Sequence, residues 1–379
     1  MTADAPEASI QVRAVLCDCI RFDAVPAHAE ELRERIAAVG WDELFAHADR
    51  ARLGSVLVRA VERLGLAPQI PALTLPDGRM TVTAALGKRQ TDHLERRRVL
   101  GERLVEIAEA LDRAGIVPLA LKGGRSIVTG WPDWRYLRDL DLLIEPRRAV
   151  EAQEIVMRLG YRPSEAPRPR LVHHHLHELY REDMPGWIEI HRRAGPSRVE
   201  QFLSTREMRA AALPSAMGVS VLPPHLAALH GMVHHHVGHR AVKHATIAPK
   251  GLYEFAAELM HLTAEERGLL VARASRHPRL LAIYDLWIAA ADDLFGMPVA
   301  SPFHLSADAA AWWQEMRAGT VQSGVSPELR AALQPGRMRR VDGGESPIRR
   351  AYWRLSMPLS FIKRPMILPQ ANWRRGPAP

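Results

Sequence analysis

Apolar residues recur every three or four positions through the first third of the chain. Leu32, Ile36 and Val39 form such a stripe over 27–39, and Leu44, Phe45, Leu53, Val56, Leu57 and Val61 continue it over 42–64. This period marks amphipathic helices. The proline-rich stretch 67–77 reads as a connection. Over 81–114 the stripe resumes with Leu94, Leu100, Leu104, Ile107, Ala108 and Leu111, which predicts one long helix or two, and Gly115 is the natural stop.

The period changes at Ile116. The apolar run 117–121 ends in Lys122-Gly123-Gly124, which reads as a strand and a glycine turn, with a helix opening at 125–129. Residues 140–144 are a second strand. Residues 147–159 are a helix closed by Gly160. The segments 173–181 and 187–191, joined by Asp183-Met184-Pro185-Gly186, form a β-hairpin. Helical patterns return over 223–300, a proline-broken loop follows at 297–304, and 305–334 is helical in part. Residues 336–347 are glycine-rich and charged, a mobile linker, and the tail beyond is basic and aromatic and is expected to dock. The fold class is therefore α+β, a small mixed sheet flanked by N-terminal and C-terminal helical regions. Its expected divisions are 1–114, 115–200, 201–335 and 336–379. No internal repeat is found.

A hydrophobic fraction of 47% suits a globular chain with a core, and no apolar run is long enough to span a bilayer. The N-terminus lacks the apolar centre of a signal peptide, so the expected compartment is the cytoplasm. Cys17 and Cys19 are the sole cysteines, too few for a disulfide framework or a zinc site, and read as buried thiols. A net charge of +8 favours anionic partners. Aromatics interleaved with Lys and Arg, the mark of RNA binding, are missing, so a nucleoside triphosphate explains the sign as well as nucleic acid does.

The most informative stretch is Asp139-Leu140-Asp141-Leu142-Leu143-Ile144. Strand residues two apart share a face, so the two aspartates point one way and the leucines point into a core. Paired carboxylates repel unless a cation lies between them, and magnesium is held by one or two carboxylates with phosphate oxygens. In Trp187-Ile188-Glu189-Ile190-His191 the alternation puts Glu189 and His191 on one face. Beside the Asp strand, Glu189 would complete a three-carboxylate metal set. Gly123 and Gly124 allow close approach to a phosphate, Ser126 adds a hydroxyl, and Lys122, Arg125 and Arg135 add positive charge.

Leu121-Lys122-Gly123-Gly124, then Arg135-Tyr136-Leu137-Arg138 running into the Asp139 strand, then Ile188-Glu189-Ile190-His191 resemble the uncharacterised nucleotidyltransferases of the DNA polymerase β-like superfamily. The resemblance covers about 115–195 and extends more loosely over 27–300. It implies in-line attack of an acceptor hydroxyl on the α-phosphorus of a nucleoside triphosphate, ATP being the expected one, with release of pyrophosphate. Asp139 and Asp141 would hold Mg2+ or Mn2+, Glu189 would be a third ligand or a base, and Gly123, Gly124 and Ser126 would cradle the phosphates. By their charge Lys122 and Arg135, and by its place on Glu189's face His191, are expected to contact the nucleotide as well. The superfamily turn is usually a hydrophobic residue, glycine, then glycine or serine; here Lys122 precedes the glycines and Arg125 follows them.

Eighteen histidines include a cluster at 173–177 and another on a probable helix at 230–239. His230 and His234 lie one turn apart. With no H-E-x-x-H pattern and no cysteine, they are expected to face the cleft or a domain interface and not to bind zinc. The expected acceptor is a small molecule or a peptide. Transfer RNA or a protein is the alternative acceptor, and a catalytically degenerate nucleotide- or partner-binding domain is a reading of another class. Because the two aspartates repel, Asp141→Asn is expected to abolish transfer and to leave the fold intact.

Overall fold

The structure is a computed structural model that describes residues 4–67, 80–164, 174–238, 247–297 and 307–318, all within the unit Met1–Pro335. The readings at 67–77, at His173 and His239, over most of 297–304, and throughout 319–379 lie largely or wholly outside the described residues.

Helix α1 (Asp4–Ile20) precedes every element expected from the sequence. Its buried positions Val12, Val15, Leu16, Cys19 and Ile20 keep helical spacing, so its signal was present in the pattern. Cys17 and Cys19 are free and buried, as expected. Helices α2 (Ala29–Val39), α3 (Trp41–Ala51) and α4 (Gly54–Leu64) follow. The continuous stripe expected over 42–64 is thus two helices. Arg52 adopts φ 57, and the Leu53 amide caps α3 by donating to the Ala48 carbonyl at 2.8 Å. Helix α5 (Val82–Asp112) is a single helix. Gly115 (φ 66) turns the chain after it, its amide bonded to the Asp112 carbonyl at 2.7 Å. Leu94, placed on the apolar stripe, is instead 54% exposed.

Seven strands form one mixed sheet: β1 (Leu119–Leu121), β2 (Asp139–Leu143), β3 (Arg162–Pro163), β4 (Leu179–Tyr180), β5 (Trp187–His191), β6 (Leu213–Pro214) and β7 (Ser220–Val221). Their order is β3-β4-β5-β2-β1-β7-β6. Strand β2 is central, antiparallel to β1 and parallel to β5. The alternation holds. Ala120, Leu140, Leu142, Ile188 and Ile190 share a core with α5 and with helix α7 (Ala149–Arg158). Each fully buried leucine or isoleucine there contributes roughly 1.5–3 kcal/mol. The opposite face carries Asp141, Glu189 and His191.

The expected hairpin forms, with Leu179 paired to Ile188 and a bridge from His175 to His191. The glycine turn does not. Helix α6 (Lys122–Thr129) begins three residues earlier than expected, so Gly123 and Gly124 lie in its first turn. After α8 (Ser197–Glu200) and α9 (Thr205–Ala210), the histidine helix α10 (Pro224–Val233) runs into a π-helical turn at His234–Gly238. The helical stretch after it divides into α11 (Pro249–His261), α12 (Ala264–Ser275) and α13 (Pro278–Phe295), with α14 (Ala307–Ala318) beyond.

Candidate active site

The parallel register of β2 and β5 sets Asp141 opposite Glu189 and Leu143 opposite His191. The close approach of the two strands depends on Gly186. A Cβ there would overlap the Arg138 carbonyl oxygen at the entrance to β2. The sequence marks Gly186 as a turn residue; the fold uses it because no side chain fits.

Asp141 is fully buried. Its Oδ1 accepts from Lys122 Nζ at 2.9 Å and from His191 Nε2 at 2.8 Å. The same His191 nitrogen lies 3.2 Å from Glu189 Oε2. Asp141 Oδ2 is buried without a hydrogen-bond partner. An ionised carboxylate oxygen buried without a partner is costly, more so than a neutral polar atom left unpaired.

The charges respond to one another. Burial pushes Asp141 up, but Lys122 and His191 outweigh it and hold the carboxyl well below its ordinary range. Burial would neutralise Lys122, yet Asp141, Asp139 and Glu189 raise it. His191 is likewise opposed by burial and raised to about 9 by its bonds to Asp141 and Glu189. Burial also lifts Glu189, and the His191 bond brings it below its usual value. Asp139 is pushed up to about 6, by burial first and then by Asp141. The first aspartate is thus the more weakly acidic of the two.

Among the described residues, one group of candidate metal ligands gathers: Asp141, Glu189 and His191, whose ligand atoms all lie within 4.8 Å of one another. His191, expected on the nucleotide, stands inside this group. Asp139 sits outside it, two residues back on β2, and interacts with it electrostatically.

The other expected residues are placed as follows. Lys122 spans the β1–α6 junction with φ 44. A Cβ on Gly123 would stand 3.1 Å from Leu137 Cδ2 and 3.2 Å from the Asp139 carbonyl oxygen; on Gly124 it would stand 3.3 Å from Ala120 Cβ. Both glycines let α6 lie against the sheet. Ser126 is buried, and its hydroxyl donates to the Gly123 carbonyl at 3.0 Å, on the side where Arg97 reaches it from α5. Arg135 pairs with Glu254 at 3.1 Å, and Arg125 pairs with Glu258 at 2.8 Å.

Those glutamates belong to α11, which the sequence reading left without a role. Lys250, Glu254 and Glu258 repeat every four residues, so one face of the helix carries all three. That spacing was the available signal. Lys250 lies 3.1 Å from Glu254 and feels Asp139. The cleft between α11, α10 and the β1–α6 junction is lined by Lys122, Arg125, Arg135, His230, Glu254 and Glu258, among others. His230 is buried there, pushed down to about 4 by burial and Lys122, with its Nε2 3.3 Å from the Ala194 carbonyl oxygen. The His234 ring lies 5.9 Å from that of His230, centre to centre. His175, part of the first histidine cluster, reaches to 4.0 Å from Glu189.

A model of the uncharacterised nucleotidyltransferase family matches residues 37–296. The chain belongs to this family. The match includes the sheet, α6, α10 and α11, and so every residue of the site. No curated protein and no solved structure matches. No helix among the described residues is long and apolar enough to cross a membrane.

Proposed function

We propose that this family member transfers a nucleoside monophosphate from a nucleoside triphosphate, ATP in the first instance, to a hydroxyl on a small molecule or peptide. The acceptor oxygen bonds to the α-phosphorus, the bond to the bridging oxygen breaks, and pyrophosphate leaves. The hydroxyl proton passes to Glu189, which His191 keeps ionised.

The observation that carries this reading is Asp141 Oδ2, a fully buried carboxylate oxygen with no partner, on the sheet face that also bears Glu189 and His191. A buried, ionised carboxylate with a free lone pair suits a hard cation. Asp139, Asp141 and Glu189 would hold Mg2+ or Mn2+, with His191 fixing the two inner carboxylates through its bonds to both. Such a cation supplies neutralisation of charge on the transferring phosphoryl group. Lys122 and Arg135, both on the cleft wall, bind the triphosphate oxygens, and Gly123 keeps the start of α6 close to β2.

The test is transfer of label. The protein is incubated with α-labelled nucleoside triphosphates, Mg2+ and a host extract. Label should appear in a small molecule or peptide with wild type and not with Asp141→Asn. Absence of any labelled product with each of the four nucleotides would count against the reading, and labelled RNA would move the acceptor to nucleic acid.

A further inference from the structure

Lys122 is one of two non-glycine residues with positive φ among the described residues. Left-handed backbone is disfavoured for a side-chain-bearing residue and is kept where the surroundings demand it. Here it turns the chain from β1 into α6 while the ammonium reaches Asp141 Oδ1 at 2.9 Å. Asp139 and Glu189 also act on that ammonium. A positive charge therefore already sits within the carboxylate group.

A second cation entering this group meets the first. Two like charges at one carboxylate repel strongly in a poorly solvated site. The lysine is not fixed, because its charge rides on a flexible four-carbon stem, and its side chain retains 18% exposure toward the cleft. A polyphosphate in that cleft offers it a new anionic partner. Asp141 Oδ2, still free, offers the entering metal a first foothold.

We propose that Lys122 is an exchangeable internal cation. It neutralises Asp141 until a divalent metal binds, then moves onto the triphosphate, so that metal and nucleotide each strengthen the binding of the other. The inference rests on the metal site in the reading above. It explains why a lysine stands directly before the glycines, and why the fold tolerates a strained residue there.

Mn2+ binding, followed by calorimetry and by the spin resonance of the bound ion, tests it without turnover. The comparison is wild type against Lys122→Met, each with and without a non-hydrolysable ATP analogue. Without nucleotide the variant should bind Mn2+ roughly 5–150-fold more tightly than wild type, the range of ordinary coupling between sites. The analogue should tighten Mn2+ binding in wild type and do so less in the variant. Equal or weaker Mn2+ binding by Lys122→Met, with wild type binding normally, overturns the exchange and leaves the metal site standing. Failure of both proteins to bind Mn2+ in the presence of the analogue overturns the exchange and the metal site together. Circular dichroism follows the fold. A variant that folds only when Mn2+ is added supports the exchange, since metal then replaces the missing charge. A variant unfolded even in Mn2+ shows a purely structural lysine and overturns it.

Discussion

Asp141 and Glu189 are register partners across the parallel β2–β5 pair, and a single nitrogen of His191 lies within 3.2 Å of an oxygen on each. The consequences reach both stability and chemistry, because Asp141 is fully buried and Glu189 largely so before any ligand arrives.

Asp141→Asn should reduce nucleotide transfer by more than about 100-fold, the scale of losing one group that stabilises transition-state charge. Repulsion between the two aspartates alone would make this change harmless to the fold. The structure reverses that forecast, since Asp141 balances Lys122 and His191. Removing its charge should cost about 3 kcal/mol, the low end for breaking a buried pair, because Glu189 and Asp139 remain nearby. Urea unfolding beside the labelling assay checks both; an unchanged midpoint would show that the pair carries no net stability.

Gly186→Ala should destabilise by about 1–3 kcal/mol or more, through collision with the Arg138 carbonyl where β5 meets β2. Because the collision pushes apart the strands that carry Asp141 and Glu189, Mn2+ affinity should fall in the same variant. A thermal midpoint equal to that of wild type would mean that the strands separate here at no cost.

The Arg125–Glu258 pair ties α6 to α11 from within the fold, both side chains being more than nine-tenths buried. Arg125→Met should cost about 3–5 kcal/mol by leaving a buried carboxylate alone, and adding Glu258→Met should recover a large part of that loss. A double-mutant cycle in urea reads the coupling. Additive losses would show that the two groups act independently.

His236 accepts a hydrogen bond at Nδ1 from the Trp287 indole at 3.0 Å, and burial pushes it down to about 3. The unfolded chain therefore binds this proton near pH 6.5 and the folded chain does not. Its contribution is fully present above about pH 6.5 and is lost as pH falls toward 3. His236→Gln removes the titration, so the stability difference between wild type and variant should shift by about 2 kcal/mol between about pH 7 and pH 5. A difference that stays flat across that window would show that His236 titrates normally in the folded protein.

The α+β class, the central strands, the hairpin and the shared face of Glu189 and His191 follow from local chemistry. Alternation with period two, helical spacing and glycine after a helix are written in neighbouring residues. The same logic contained helix α1, whose stripe at Val12, Val15, Leu16, Cys19 and Ile20 needed only to be read. Tertiary structure decided the rest. Which atoms meet Asp141, whether Gly186 turns or makes room, where α6 begins, and what Arg125 and Arg135 bind are set by contacts between residues far apart in the chain. Lys122 lies 19 residues from Asp141, and Arg125 lies 133 from Glu258. Charges become partners only once burial removes water as the alternative, and no local pattern records which charges the folded chain will bury together.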